Sequence, residues 1–564
     1  MSRTIVIVGG VAGGATAATR LRRLSEQDRI IVFERGPYLS FSNCSLPYYL
    51  SGAVRKIESL VQGSPESFAS RYNIDARVQH EVLSIDRQRR QVEVRNRVDG
   101  TTFQQPYDAL ILSPGASPVV PPIPGIDQAN VFTVRNVVDI GRLAEFVQAR
   151  HPARVTVVGG GFIGIECAEN LALAGHRVTV VEALPQILSQ LDADMAPILH
   201  KVLLDRGIEL HLSDKVTRFS QHEVILESGT AIETDAVVLA IGVRPETELA
   251  KGADLTIGPT GAIAVDANYR TSDPHIWAIG DAIELHSALL HKPCRLPLAG
   301  PAHKQARAVA DHIHGRPTRR RGVIGSSIVQ VFDYTAASTG LAERLLVDHS
   351  IPYESAEVIP KDRVGLMPGA EDLHFKLLFE VPTGRILGAQ AVGRGEVAKR
   401  IDVVATVIKL GGTVDDLREL ELCYAPPYGT AKDVVNIAGL VAGNLLEQTY
   451  RQVRKTQVRE LVQQGDFILD VRERHEFERG HITTATNIPL SQLRRRIDEV
   501  PKNRSVYVHC RTGQRSYNAV RVLQNHGHAN VFNIAGGFLG ICLYEYFTDR
   551  VQGRKPIVTA YNFN

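Results

Sequence analysis

A glycine-rich turn between a short apolar run and a helical segment occurs twice in this sequence, and it constrains the fold more than any other feature. The second copy, residues 159–164, fits the pattern G-x-G-x-x-G strictly. Its first glycine allows the tight turn, its second lets backbone approach a pyrophosphate, and its third packs helix on strand. The first copy, residues 9–14, carries Val11 at the second glycine position. Two copies predict two dinucleotide-binding folds in one chain.

An acidic residue ends the next predicted strand after each copy, Glu34 in the first and Glu182 in the second. An acid at this place binds ribose hydroxyls, and it repels a 2′-phosphate, so the second domain favours NADH, with NADPH possible. A purely structural glycine turn is the alternative. The residues predicted to bind the nicotinamide coenzyme are Gly159, Gly161, Phe162, Ile163, Gly164, Glu182 and Gly242.

Two later segments favour a flavin in the first domain. The apolar run 109–112 ends in a turn at Gly115, and the run 276–279 leads into Gly280 and Asp281. An aspartate after a buried strand can reach the polyol of an extended FAD, although an ordinary strand-end turn is the alternative for each segment alone. The predicted FAD-binding residues are Gly9, Gly10, Ala12, Gly13, Gly14, Glu34, Arg35, Gly115, Gly280 and Asp281.

This order of motifs resembles the flavoprotein disulfide reductases, and the segment SFSNCSLPY around Cys44 narrows the resemblance. It is similar to the coenzyme A disulfide reductases and the NADH-dependent persulfide reductases, which implies one cysteine beside the flavin. A thiolate attacks a sulfur of a disulfide or persulfide, so we expect the surroundings of Cys44 to lower its pKa. A buried structural thiol is the alternative.

The same resemblance implies a homodimer in which Tyr424, in the segment YAPPY, reaches the other subunit and protonates a leaving sulfur. A second family tyrosine pair, in a YYPG segment, is replaced here by Leu366 and Met367. This departure favours a sulfur substrate other than coenzyme A disulfide. For Arg20 and Arg23 a solvated helix face is the alternative to binding. The resemblance places coenzyme A against Thr16, Arg20, Arg23, Ser40, Asn43, Lys304 and Lys432.

Residues 510–516, CRTGQRS, follow a predicted strand near the C-terminus. They resemble the active loop of single-domain rhodaneses. Such a loop can direct backbone N–H groups at the sulfur, and with Arg515 nearby it would stabilise Cys510 as a thiolate and then as a persulfide. An inactive rhodanese used for protein binding, or a phosphatase of related fold with a longer loop, are the alternatives.

The chain of 564 residues is too long for one ordinary core, so several domains are expected. We predict an α/β protein with two Rossmann-like domains, an α+β dimerisation domain and a rhodanese α/β domain. The predicted boundaries are 1–120 with 246–320 for FAD, 121–245 for NAD(P), 321–446 for dimerisation, 447–456 for a linker and 457–564 for the rhodanese domain.

Composition excludes several classes of function. A formal net charge of only +3 gives no electrostatic case for nucleic acid, and the cluster Arg319 to Arg321 is expected to be a solvated loop. Six dispersed cysteines without CxxC spacing predict no metal site and fit a reducing compartment, so we expect a cytoplasmic protein. No apolar run is long enough to span a membrane.

These features favour an FAD-dependent, NAD(P)H-driven reductase of persulfide, polysulfide or coenzyme A disulfide that acts through Cys44. The rhodanese domain would handle sulfane sulfur at Cys510. Two alternatives stay open. One is an NADH oxidase or peroxidase in which Cys44 cycles through sulfenic acid. The other is a sulfur carrier or redox sensor with little turnover.

Overall fold

The computed structural model describes residues 2–317 and 322–563. Their contacts divide the chain into two units, residues 1–183 with 213–323 and residues 184–212 with 324–564. The basic cluster Arg319 to Arg321 lies outside the described residues. Each unit is described by itself below.

The first unit begins with a parallel five-stranded sheet, built from strongly apolar segments that are buried on both faces. Its strand order is Ile276–Ala278, Ala109–Leu112, Thr4–Val8, Arg29–Phe33 and Asp75–Arg77. Its main helices are Ala12–Arg22, Pro65–Tyr72 and Ala299–Ile313. A three-stranded antiparallel sheet follows, with strands His80–Asp86, Gln91–Asn96 and Thr102–Pro106.

A second parallel sheet in the same unit repeats this construction. Its strands run in the order Val131–Thr133, Ala236–Leu239, Arg154–Val158 and Arg177–Glu182. Helices Val137–Gln148 and Phe162–Leu173 accompany it. A small antiparallel sheet is formed by Val216–Phe219, Glu223–Leu226 and Ala231–Glu233. Strands Ala116–Pro118 and Val243–Pro245 pair antiparallel.

The second unit contains a five-stranded antiparallel sheet. Its order is Ser326–Val331, Tyr334–Gly340, Ile386–Gly393, Leu373–Glu380 and Tyr353–Val358. The helices of this region are Glu343–Asp348, Val397–Leu410, Val414–Glu419 and Val434–Leu446. Helix Val434–Leu446 begins where the Asp433 side chain accepts a hydrogen bond from the amide of Val435 and caps the helix.

The C-terminal part of the second unit is a parallel sheet with helices around it. Its strand order is Arg451–Val453, Val531–Ile534, Val506–His509, Phe467–Asp470 and Thr486–Asn487. Its helices are Val458–Gln464, Arg474–Glu478, Leu490–Leu493, Gln514–Asn525 and Gly537–Gln552. The predicted fold class is confirmed: the protein is α/β, with two parallel Rossmann-like sheets, an α+β region whose sheet is antiparallel, and a parallel C-terminal sheet.

Two segments behave differently from a simple chain of separate domains. Residues 451–453, inside the segment predicted as a linker, form the edge strand of the C-terminal sheet. Residues 184–212, inside the predicted NAD(P)-binding region, cluster with the second unit. That segment includes helix Ala196–Asp205, which packs on helix Gly537–Gln552. Among the described residues, no helix combines the length and apolar character needed to cross a membrane.

Candidate active site

Both glycine turns lie at the carboxyl ends of the central strands of the two parallel sheets. Gly159 has φ +111°, a left-handed value that favours glycine. A Cβ on Gly164 would stand 1.9 Å from the carbonyl oxygen of Gly159, so only glycine lets the helix start this close to the strand. Gly14 and Gly9 repeat the arrangement, with a corresponding distance of 1.8 Å. The first turn therefore adopts the dinucleotide-binding geometry despite Val11.

Each acid predicted to bind ribose lies beside its glycine turn. Glu34 accepts a hydrogen bond from the amide of Gly10 at 2.9 Å, and Glu182 accepts one from the amide of Gly160 at 2.6 Å. Neither following helix has a side-chain cap at its N-terminus. Uncapped amides at a helix start suit phosphate oxygens, so these residues fit the FAD and the nicotinamide coenzyme assigned to them.

The other predicted FAD residues lie at the same sheet edge or close to it. Gly280 and Asp281 form a short turn after the edge strand Ile276–Ala278, and the amide of Gly280 donates to Gln305 at 2.7 Å. Gly115 and Gly242 have positive φ and flank the paired strands 116–118 and 243–245. The guanidinium of Arg35, which was also predicted to bind FAD, forms an ion pair with Glu246 at 2.8 Å.

Cys44 is exposed on a short helical turn, Asn43–Ser45, next to helix Pro47–Leu50. This segment packs on helix Phe162–Leu173, the helix that follows the second glycine turn. A hydrogen bond of 2.6 Å from the Ser51 hydroxyl to Asn170 fixes the contact. The structure therefore places the cysteine between the two dinucleotide motifs, within one unit.

The electrostatic surroundings of Cys44 differ from the expectation. Partial burial of the thiol, together with the carboxylates of Glu166 and Asp281, raises the pKa of Cys44. The prediction that neighbouring groups lower this pKa is therefore wrong for the protein side chains. Glu166 lies near this thiol because helix Pro47–Leu50, directly after the turn, packs on helix Phe162–Leu173, and Asp281 belongs to the turn after strand Ile276–Ala278.

Glu166 is a candidate site residue that the sequence analysis missed. Burial and the neighbouring Glu169 raise the pKa of Glu166 to about 7. The same carboxylate raises the pKa of Cys44 and of Tyr48. A carboxyl group with this pKa can hold or release a proton near neutral pH. Its position two residues after Gly164, directly after the first turn of helix Phe162–Leu173, was the available signal.

Replacing Glu166 with glutamine is expected to lower the pKa of Cys44. The substitution removes a negative charge that opposes thiolate formation, so alkylation of Cys44 should reach its plateau at lower pH than in the unchanged protein. Peptide-resolved alkylation with iodoacetamide between pH 5 and 10 measures this. Glu145→Gln, on an exposed helical position, is the control. A Cys44 pKa that stays unchanged or rises in Glu166→Gln would contradict the proposed effect of the Glu166 carboxylate on this thiol.

The residues implied to contact coenzyme A fall into two groups. In the first unit, the Thr16 hydroxyl lies 2.6 Å from Nδ1 of His303, and Arg20 forms an ion pair with Asp311 at 2.5 Å. The charge of Arg20 is therefore already balanced. Arg23, Asn43 and Lys304 are exposed and Ser40 is half-buried. His303 was missed in the sequence, although it directly precedes Lys304.

The remaining implied residues belong to the second unit. Tyr424 and Lys432 are exposed in the irregular segment between helices Val414–Glu419 and Val434–Leu446. Leu366, at the place of a family tyrosine, is 93% exposed. Buried Arg400 links the segment that contains Leu366 to the segment that contains Tyr424 and Lys432. Its guanidinium donates to the carbonyl of Asp362 at 2.7 Å and to the carboxylate of Asp433 at 3.0 Å.

Cys510 follows strand Val506–His509, and its loop curls around the sulfur. The amide of Gly513 donates to Sγ at 3.2 Å, and the Ser516 hydroxyl lies 3.6 Å from it. The residue is 1% exposed. Donors aimed at sulfur are suited to a thiolate or a terminal persulfide. The loop directs one backbone amide and one hydroxyl at the sulfur of Cys510.

Arg515 is held more firmly than the sequence suggested. Its guanidinium makes a bidentate pair with Glu476, with distances of 2.6 and 2.8 Å. The hydrogen bond from Arg515 lowers the pKa of Glu476 to about 2 against the opposing effect of burial. Glu476 was not predicted, and it fixes the position of Arg515 while sharing its charge. The positive charge of Arg515, which interacts with Cys510, is therefore partly balanced by Glu476.

Comparison with known proteins assigns each region. The family model for pyridine nucleotide-disulphide oxidoreductase matches residues 3–306, that for its dimerisation domain matches 326–433, and that for the rhodanese-like domain matches 454–543. The reduced Bacillus anthracis CoADR-RHD is 44% identical and covers 98% of this chain and 99% of its own, with a TM-score of 0.94.

Two further relatives are similar over most of their length. A NAD-dependent persulfide reductase from A. fulgidus is 35% identical, covers 95% of this chain and 99% of its own, and gives a TM-score of 0.91. Coenzyme A disulfide reductase from Staphylococcus epidermidis is 35% identical over 444 residues, which is 78% of this chain and 99% of the relative.

Proposed function

The chain belongs to the pyridine nucleotide-disulphide oxidoreductases, as an FAD-dependent member with a fused rhodanese domain, and we propose that it reduces sulfane sulfur at Cys44 with electrons from NADH. The preferred substrate is a persulfide or polysulfide rather than a symmetrical disulfide. The observation that carries this proposal is the position of Cys44, exposed on a turn that packs against the helix of the second glycine motif.

The chemistry at Cys44 balances for a persulfide. The thiolate attacks the terminal sulfur of R–S–SH, the S–S bond of the substrate breaks, and the carrier thiolate R–S⁻ leaves while Cys44 becomes a persulfide. When bound, FAD would supply the two electrons, taken from the nicotinamide coenzyme. With a proton they release hydrogen sulfide and restore the Cys44 thiolate. The overall reaction converts NADH, a proton and R–S–SH into NAD⁺, R–SH and H₂S.

The protein groups around Cys44 manage protons and charge. Glu166, with a pKa of about 7, is suited to accept the proton of the incoming thiol or persulfide and to return it to departing sulfide. Because its carboxylate opposes the Cys44 thiolate, its protonation would also stabilise that thiolate. Formation of the Cys44 thiolate and protonation of Glu166 are then coupled. This coupling suits the step, because Glu166 can take up the proton that the thiol releases.

A homodimer and a coenzyme A carrier extend this proposal. Tyr424 is exposed in the region that matches the dimerisation domain, so its phenol is available to another subunit. Thr16, Arg23, Ser40, Asn43, Lys304 and Lys432 remain the candidates for binding coenzyme A, together with His303. Arg20 is a weaker candidate because Asp311 already neutralises it.

The fused domain favours sulfane sulfur as the substrate. Cys510 lies in a loop that directs an amide and a hydroxyl at its sulfur, which is the arrangement needed to hold a persulfide. A symmetrical coenzyme A disulfide carries no sulfane sulfur for such a loop. Loss of both tyrosines at Leu366 and Met367 points the same way.

The test is anaerobic NADH oxidation with coenzyme A persulfide, polysulfide and coenzyme A disulfide in parallel, and with NADPH as the second donor. We expect kcat/KM for persulfide to exceed that for the disulfide by at least about tenfold, with sulfide released in proportion to NADH. Cys510→Ser should keep reduction of the small acceptors and lose transfer of sulfur from thiosulfate to cyanide.

Two outcomes would contradict the proposal. NADH loss that matches consumption of O₂ or H₂O₂ without a sulfur acceptor would identify an oxidase or peroxidase. Slow NADH oxidation with every acceptor, beside a stable persulfide on Cys510, would identify a carrier or sensor.

A further inference from the structure

We propose that Glu357, which lies outside the rhodanese fold, is a positioning residue for the Cys510 loop. It belongs to strand Tyr353–Val358 of the antiparallel sheet, in the region that matches the dimerisation domain. The inference rests on the proposed sulfurtransferase role of Cys510. It adds that this activity depends on a carboxylate from a different domain.

The Cys510 loop is supported by the N-terminus of helix Gly537–Gln552. The amide of Phe538 donates to the carbonyl of Cys510 at 2.8 Å, and the amide of Leu539 donates to the carbonyl of Arg511 at 3.0 Å. These two bonds hold the first residues of the loop. A shift of this helix start would therefore move the sulfur relative to its donors at Gly513 and Ser516.

A pair of glycines joins this helix start to Glu357. A Cβ on Gly537 would stand 2.6 Å from the carbonyl oxygen of Arg511 and 2.8 Å from that of Cys510. A Cβ on Gly536 would stand 2.7 Å from Oε1 of Glu357. Both glycines have positive φ, at +76° for Gly536 and +57° for Gly537. The turn is thus enclosed between the active loop and the Glu357 carboxylate, with no space for a side chain on either glycine.

Glu357 is itself held in place. Its side chain is 5% exposed and pairs with the ammonium of Lys455, which is 2% exposed and begins the rhodanese region. The Lys455 ammonium also lies 3.8 Å from Asp194. Next to this pair, Gln452 donates to the carbonyl of Ser355 at 2.7 Å. A buried, hydrogen-bonded pair of this kind fixes geometry because any displacement leaves a buried charge without its partner.

The position of the loop matters for the reaction itself. Sulfur transfer requires the Cys510 thiolate to attack the outer sulfur of thiosulfate, which breaks the S–S bond and releases sulfite. Cyanide then takes the sulfur as thiocyanate and restores the thiolate. Both steps need the sulfur aligned with its amide donors, and such alignment is sensitive to small displacements.

The test uses the full-length holoenzyme with Glu357→Gln, which removes the charge but keeps a polar group of similar size. We expect kcat for thiosulfate–cyanide transfer to fall about tenfold, with KM for thiosulfate changed less than about twofold. NADH-driven reduction at Cys44 should stay unchanged. Glu357→Asp keeps the charge and should recover part of kcat.

Glu354→Gln is the matched control, since Glu354 lies on the same strand and its carboxylate accepts hydrogen bonds from the amide of Ser355 at 2.8 Å and from Gln452 at 3.4 Å. Equal kcat in Glu357→Gln and Glu354→Gln would overturn the inference. A parallel loss of both activities in Glu357→Gln, together with a lower unfolding midpoint, would overturn it as well, since that is a purely structural effect. Absence of sulfur transfer in the unchanged enzyme would instead contradict the role of Cys510.

Discussion

Replacing Cys44 with serine is expected to lower NADH-driven reduction of persulfide by at least about a thousandfold, because removal of a nucleophile abolishes the covalent step. The flavin should stay bound, since its predicted contacts lie in the glycine turn, at Glu34 and at Asp281 rather than at the thiol. Anaerobic NADH oxidation and the flavin absorbance of the purified variant measure the two effects.

Cys423→Ser is the matched control, because Cys423 is the other exposed cysteine among the described residues. Its substitution should leave NADH oxidation and persulfide reduction within about twofold of the unchanged enzyme. A Cys44→Ser variant that still released sulfide at an appreciable rate would exclude the thiol as the nucleophile. Sulfur transfer from thiosulfate should persist in full in Cys44→Ser, which separates the role of Cys44 from that of Cys510.

The second large effect concerns a buried charge cluster in the second unit. The ammonium of Lys376, whose side chain is 2% exposed, lies 2.7 Å from Asp194, 3.0 Å from Asp192 and 3.0 Å from Glu343. Burial alone would raise the pKa of Asp194, but the ammonium of Lys376, with that of Lys455 nearby, lowers it. The three carboxylates converge as metal ligands could, yet the ammonium already stands among them.

Lys376→Met is expected to lower the free energy of unfolding of this region by about 3–5 kcal/mol at neutral pH, because it leaves buried carboxylates without a cation. The loss should become smaller as pH falls, since the abandoned carboxylates acquire pKa values above their ordinary range and take up protons. Hydrogen exchange of strand Leu373–Glu380 measures it. Trp277, the only tryptophan of the sequence, belongs to the first unit, so its fluorescence follows the unfolding of that unit separately.

Lys361→Met provides the comparison for this prediction. Lys361 pairs with Asp372 at 2.9 Å, but the two side chains are 46% and 30% exposed. Such a surface pair contributes about 0–1 kcal/mol, so its loss should hardly change exchange in the same strand. A similar small effect for Lys376→Met would show that the buried cluster does not depend on its ammonium.

The sequence alone was sufficient for the motifs whose chemistry is local. The two glycine turns, the acids Glu34 and Glu182 and the loop after Cys510 are each set by a strand–turn–helix segment. In such a segment, backbone geometry follows from the residues themselves, so glycine spacing predicts where the amides point. The order of these segments also predicted the fold class.

Contacts between residues that are far apart in the sequence could not be predicted in this way. The pairing of Arg515 with Glu476, of Arg20 with Asp311 and of Lys455 with Glu357 joins residues that are 39 to 291 positions apart. No local pattern encodes such partners, because they meet only when separate elements pack. Residues 184–212 were likewise assigned to a dinucleotide domain from their place in the sequence, whereas they cluster with the second unit.

What the sequence determined by itself was the set of reactive groups, since Cys44 and Cys510 each lie in a segment whose residue types specify a thiol near a turn. The tertiary structure decided their electrostatics. A thiol's pKa depends on every charge within several ångströms, and the charges near Cys44 come from Glu166 and Asp281, which folding brings to it from distant positions.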